Sequence, residues 1–174
     1  MALAVALLAC GCAAPRTDAP SRQYDLGASP PAASLPPLRA VSVRAAMPYD
    51  GTAMHYRLAW GESSELAAFA ASRWAAPPAE LFRRQLARAL PANSGASCAL
   101  EVELHEFVQV FRTPQTSEVR IELRAAAGGA ARGFRVSEGD AGRDAASGAR
   151  AFARAAERTI AEIGSWIATL ATCR

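Results

Sequence analysis

Met54-His55-Tyr56-Arg57-Leu58-Ala59 and Ser72-Arg73-Trp74-Ala75-Ala76-Pro77-Pro78-Ala79-Glu80-Leu81 decide how this chain folds. The first stretch reads as a strand. The second carries a tryptophan and then a proline pair, which cannot continue a central strand. A proline does suit the first turn of a helix, where its missing N–H would have had no partner anyway. From Leu81 to Leu90 apolar residues recur at helical spacing, and Pro91 ends the run. A strand pair therefore hands over to a helix at a fixed aromatic–proline corner.

Working outward, Leu38 to Ala46 is an extended run closed by Met47-Pro48-Tyr49-Asp50-Gly51, in which Asp-Gly is a strong turn signal. Ala53 to Ala59 and Glu65 to Ala71 read as strands joined across Trp60 to Ser64. The first helix runs from about Pro78 to Leu90. Leu100, Val102 and Leu104 then alternate with Glu101, Glu103 and His105, so one face is buried and one wet. Past His105 the pattern changes, because Phe107, Gln109 and Phe111 share the phase of the wet residues. Either a bulge near His105 shifts the phase, or the far end is apolar on both faces.

Thr113-Pro114-Gln115-Thr116 turns the chain into a strand of Val119, Ile121 and Leu123, and Gly128-Gly129 turns it again towards Phe134 and Val136. This is an antiparallel meander. Asp144 is placed to cap a last helix whose stripe is Phe152, Ala156, Ile160, Ile163, Ile167 and Leu170, bordered by Trp166. The expected fold is a single α/β domain: a mixed, mainly antiparallel sheet with two principal helices packed on it.

At 174 residues the chain has the length of one domain with a real core. It is 51% hydrophobic but only 7% aromatic, so alanine fills much of that core and leaves little room for an internal cavity. The formal charge of +3 is spread along the chain, with no basic run interleaved with aromatics, so nucleic-acid binding is not expected. No apolar stretch reaches the ~18 to 20 residues of a spanning helix.

The first twelve residues, Met1 to Cys12, are apolar up to cysteines flanked by small residues, like the end of a secretory signal. A charged n-region is missing, which suggests that the leader begins upstream. Leu7-Leu8-Ala9-Cys10 resembles a bacterial lipobox, whose cysteine is acylated and becomes the mature N-terminus. Cys10 is the expected attachment site, with Cys12 as the alternative. Neither Gly11 nor Ala13 is the aspartate that commonly retains lipoproteins in the inner membrane, so an outer-membrane, periplasm-facing location is expected. Residues 13 to 37 hold six of the eleven prolines and read as an Ala/Pro/Ser-rich tether ahead of a domain at 38–174, with Tyr24-Asp25-Leu26 as a short strand added to the sheet edge. Ten such residues reach about 30 Å.

Export leaves Cys98 and Cys173 in an oxidising compartment. A disulfide is expected between them. A metal pair lacks support, since there is no Cys-x-x-Cys spacing and the chain has only His55 and His105. No cofactor site is legible. There is no Gly-x-Ser-x-Gly nucleophile motif and no phosphate-binding glycine loop. Glu101 and Glu103 read as solvated strand charges, and no enzyme activity is expected.

Taken together, Tyr24-Asp25-Leu26, Asp50-Gly51-Thr52-Ala53-Met54-His55-Tyr56-Arg57-Leu58, Ser72-Arg73-Trp74-Ala75-Ala76-Pro77-Pro78, Cys98 to Phe111 and the Ala-rich helix with Trp166 resemble the ABC-type transport auxiliary lipoproteins, the paraquat-inducible protein C (PqiC) type. The resemblance implies an α/β domain similar to the N-terminal domain of TolB. It also implies a lipid-anchored periplasmic subunit, working with an MCE-domain substrate-binding protein and an ABC permease and ATPase to move lipids or other hydrophobic molecules between membranes. It brings no catalytic residues. A homo-oligomer is a further expectation. Two other classes share these features: a lipoprotein activator of a cell-wall synthase, and a periplasmic lipid carrier.

One partner site follows from the strand phase. If the strand through His105 runs without a bulge, Phe107 and Phe111 stand on its polar face and mark an interface for the MCE-type partner or a sister subunit. If it bulges, both return to the core.

Overall fold

In the computed structural model, which describes residues 21–28, 35–62, 64–91 and 95–173, seven strands form one mixed sheet with two helices on one face. The strands are β1 (Arg22–Tyr24), β2 (Ala40–Ala45), β3 (Ala53–Leu58), β4 (Ala67–Trp74), β5 (Ala99–Thr113), β6 (Thr116–Ala127) and β7 (Ala130–Glu138). The helices are α1 (Pro78–Ala89), between β4 and β5, and α2 (Ala145–Thr169), after β7; Ala171–Cys173 adds a 3-10 turn.

β5 is the spine. On one side it pairs antiparallel with β6, which pairs antiparallel with β7. On its other side β2 and β3 lie end to end, both parallel to it, β2 against Ala99–Leu104 and β3 against Val108–Phe111. β3 then pairs antiparallel with β4, and β4 takes β1 as a short parallel neighbour. The expected mixed sheet with two helices is therefore present, and its long ladders are the antiparallel ones.

The gap between β2 and β3 sits opposite a break in β5, whose pairing with β6 slips between Leu104 and Glu106. This is the bulge at His105, and it settles the phase of everything after it. Before the bulge Leu100, Val102 and Leu104 point into the core; after it Phe107 and Phe111 do, while Val108 and Val110 are buried on the other face, so the far end is also apolar on both faces. The excursion from Ala46 to Thr52 fills the matching gap, held by the Ala46 N–H donating to the Leu104 carbonyl at 2.8 Å and by buried Tyr49.

α1 opens at Pro78 without a side-chain cap, as the proline pair predicts, and Glu80 puts a carboxylate in its positive first turn. Arg83 and Arg84 both donate to Glu80, which pulls its carboxyl down to about 2. α2 opens at Asp144, whose carboxylate accepts from the Ser147 N–H at 2.8 Å. Its stripe of Phe152, Ala156, Ile160, Ile163 and Ile167 is buried over β6 and β7, and Trp166 packs edge-on to Phe134.

Cys98 and Cys173 are joined, Cα to Cα 5.0 Å, so the start of β5 is tied to the end of the chain. The Gly128–Gly129 turn packs against the same corner. Gly128 has φ +56°, and a Cβ there would lie 2.1 Å from Thr172 Oγ1 and 2.9 Å from Cys173 Sγ, so this turn requires glycine twice over.

The stretch 13–37 is not all tether. Arg22–Tyr24 is a strand, and Leu26 and Leu35 are buried in the core. Gln85 of α1 donates to the carbonyls of Leu26 and Gly27, and Arg88 donates to that of Gly27. The packed domain thus begins by Arg22 rather than at Leu38. Composition suggests a linker here, but isolated leucines among prolines and alanines can still anchor a segment when a helix offers side-chain donors to its carbonyls.

Candidate functional site

The bulge divides the sequence-stated interface pair. Phe107 is 1% exposed, stacked on Phe152 with ring centroids 4.2 Å apart, and edge-on to Trp74 at 5.4 Å. It is a core residue, which corrects its reading as a surface aromatic. Phe111, 8% exposed, continues the same face to where the sheet outruns its helix.

That point is set by Gln109. Its side-chain amide is fully buried and donates to Ser117 Oγ at 2.8 Å and to the Ala141 carbonyl at 3.1 Å, at the approach to α2. Gly148 makes this seat possible, since a Cβ on it would sit 2.1 Å from Gln109 Oε1. α2 therefore covers Phe107 and Gln109 and stops there, leaving the next positions of the sheet without a helix.

What lies beyond is an aromatic shelf. Tyr56 of β3, Phe69 of β4 and Phe111 of β5 form a ring cluster, with Tyr56 4.8 Å from Phe69 and 5.8 Å from Phe111. Leu58, Trp60 and Pro114 extend it into a shallow groove of about 350 Å³. Trp60 is 51% exposed. An exposed tryptophan over a groove walled by half-buried Tyr56 and Phe69 and floored by buried Phe111 has the composition of a protein-recognition surface. Arg112 pairs with Glu118 nearby, at the β5–β6 turn. Tyr56, Trp60 and Phe69 went unread as site residues. Trp60 lies in a connection between strands, where a large apolar side chain has little to bury against; that was the available signal.

On the opposite sheet face, the excursion at the bulge gathers Tyr49, His55, Arg57 and Glu106. Tyr49 meets His55 edge-on at 5.4 Å, and Arg57 Nε is 3.8 Å from Glu106. Burial, then the nearby Arg57 charge, holds the His55 imidazole below its ordinary range, and its Nδ1 is buried without a hydrogen-bond partner. Burial and the Glu106 charge raise the Tyr49 phenol. No serine, threonine or cysteine nucleophile belongs to this cluster, and its chemistry is that of a seam between β2 and β3. His105 is exposed at the bulge, and Glu103 is paired with Arg44 at 2.8 Å. Among the described residues no His/Cys/Asp/Glu group is arranged to hold a metal, and no helix is long and apolar enough to cross a membrane. Cys10 and Cys12 lie outside the described residues.

A larger cleft, about 620 Å³, runs between the Gln23–Gly27 segment and α2. Ala146, Ala149 and Ala153 floor it, and Arg154 on its wall is tied to Glu138. Tyr24 is its single aromatic lining residue, against four in the shelf groove.

No protein-family model matches the chain, and no curated protein matches its sequence. Solved structures do match its shape. A protein of Xanthomonas campestris assigned to the family DUF330 superposes with a TM-score of 0.63 at 21% identity, over 84% of this chain and 91% of that one. An uncharacterised protein superposes at 0.64 and 14% identity, over 86% and 99%. At these identities the likeness establishes a shared fold over nearly the whole of both neighbours.

Proposed function

We propose that this protein is a non-catalytic, lipid-anchored docking subunit of an MCE/ABC-type system that moves lipids or other hydrophobic compounds between membranes. The observation that carries the reading is the groove of Tyr56, Phe69 and Phe111 beneath exposed Trp60, which α2 does not cover. The fold likeness to a DUF330 protein supports it, since that designation covers the ABC-type auxiliary lipoproteins. The core also argues against a carrier. Trp74, Phe107 and Phe152 fill the space between sheet and helices with mutually packed rings, where a carried lipid would need a cavity of several hundred cubic ångströms.

The test is photo-crosslinking from position 60 in cells producing the MCE-domain protein, permease and ATPase. A crosslink to the MCE-domain protein is expected, lost with Phe69→Ala. A crosslink to a cell-wall synthase, or none to any subunit of the system, overturns the proposal.

A further inference from the structure

Gly133 stands in the middle of β7 with nothing in this chain to require it. Its φ is not positive, and a Cβ built on it would meet only the Leu123 carbonyl, at 4.0 Å. The β6–β7 ladder runs from Val119↔Glu138 to Ala127↔Ala130 without a slip, so no bulge calls for glycine either. Glycine weakens a strand interior, and where neither bulge nor bend explains it, it marks a close approach from outside.

β7 is also the last strand of the sheet, with β6 on one side and no strand on the other among the described residues. The two-residue Gly128–Gly129 turn makes Ala127 and Ala130 a hydrogen-bonded pair. Counting on in twos, Arg132, Phe134, Val136 and Glu138 direct their backbone groups at β6. Ala131, Gly133, Arg135 and Ser137 turn theirs outward, and all four are exposed. The Ser137 carbonyl accepts from Arg158 at 3.4 Å, as an outward group can.

Charge decides what such an edge accepts. Gly133 lies on the sheet face away from the helices, opposite Arg124 of β6 and two positions before Arg135. Arg135 is paired with Glu122, yet its side chain is 70% exposed. Arg124 is exposed and makes no ion pair among the described residues, Glu103 beside it being taken by Arg44 at 2.8 Å. On the other face Arg132 lies over the Phe134 ring, 5.2 Å from its centroid. Arginines on an edge strand discourage pairing with a second copy of it. They attract a carboxylate, and the missing side chain at 133 leaves one a place to lie between Arg124 and Arg135.

We propose that β7 takes an extended acidic segment of a partner protein as an added strand, with a glutamate or aspartate seated over Gly133 between Arg124 and Arg135. Main-chain bonds to Ala131, Gly133 and Arg135 hold the segment, and the two guanidinium groups select its carboxylate. β6 separates this edge from the aromatic groove, which β3, β4 and β5 line, and the inference does not rest on the transport reading.

The test titrates the full chain carrying Cys10→Ser and Cys12→Ser into a fluorescein-labelled peptide, acetyl-Thr-Val-Glu-Val-Glu-Val-Thr-amide, read by anisotropy. Saturable binding is expected, about tenfold weaker at 0.5 M than at 0.05 M salt, and lost when lysine replaces both glutamates of the peptide. Gly133→Val fills the seat and suits a strand, so binding should fall roughly tenfold or more while the melting temperature holds or rises. Amide exchange on the unsubstituted strand gives a second reading that no variant's folding can spoil: the peptide should slow exchange at Ala131, Gly133 and Arg135. No saturable binding, equal binding of the lysine peptide, undiminished binding to folded Gly133→Val, or unchanged exchange at those amides overturns the proposal. The crosslink from position 60 to the MCE-domain protein is scored separately, so either proposal can fail alone.

Discussion

Phe107 and Phe152 stack face to face, 4.2 Å apart and 13° from parallel, and this contact joins the middle of β5 to the first turns of α2. It exists because β5 bulges at His105. Phe107→Ala should therefore behave as a core truncation, costing about 3 to 5 kcal/mol. Phe111→Ala, at the rim, should cost less and weaken partner binding. Urea unfolding followed through Trp74, which touches Phe107, measures the first effect. A loss below 1 kcal/mol, roughly that of an exposed side chain, would contradict the buried assignment.

The start of α2 makes a second prediction. A methyl group at Gly148 collides with Gln109 Oε1, so Gly148→Ala must displace either the helix start or the buried amide. Alanine is the better helix former by ~1 kcal/mol, so on propensity alone the change would stabilise. Net destabilisation is expected instead, together with loss of the Gln109–Ser117 bond. Calorimetry on Gly148→Ala and on Gly148→Ala/Gln109→Ala separates the effects, because removing Gln109 should relieve the clash.

The Cys98–Cys173 bridge closes a loop of 75 residues, worth on the order of 4 kcal/mol in the chain-entropy model. Periplasmic protein should show no free thiol at either position, and Cys98→Ser/Cys173→Ser should lower its urea midpoint. Complete alkylation of both cysteines without reductant would refute the bridge in solution. Gly128→Ala, which intrudes on the same corner at positive φ, should destabilise by more than about 1 kcal/mol.

His55 should make stability depend on pH. Its folded pKa lies below the ordinary 6.5, through burial first and the Arg57 charge second, so the unfolded chain takes up a proton before the folded one does. The contribution is complete above pH 6.5 and declines as pH falls from there through the depressed value. His55→Phe, which keeps an aromatic edge against Tyr49, should flatten stability between pH 7.5 and about 5 relative to wild type. Parallel wild-type and variant curves would exclude the imidazole as the source.

Acylation follows from Leu7-Leu8-Ala9-Cys10. Exported with a complete leader, the protein should carry a lipid mass on its N-terminal cysteine and partition into detergent. Cys10→Ser/Cys12→Ser should release it from membranes; persistence of that variant in the membrane fraction would contradict a lipid anchor.

The local elements were legible in the chain because their causes are local. Pro77-Pro78 opens α1, Asp144 caps α2, Gly128-Gly129 turns β6 into β7, and the alternation from Leu100 to Leu104 marks a half-buried strand. The change of phase at His105 was also visible, but a bulge and a two-faced apolar strand leave the same trace in one dimension. The tertiary structure shows that both hold: β5 slips where it faces the gap between β2 and β3, and beyond the slip Val108 and Val110 are buried on one face as Phe107 and Phe111 are on the other. The shelf was likewise invisible. Tyr56, Trp60, Phe69 and Phe111 stand far apart in sequence, and they form a surface because α2, pinned by Gln109 and Gly148, ends before the sheet does. Which residues are apolar is written in the chain; which of them a helix leaves uncovered depends on where that helix is held.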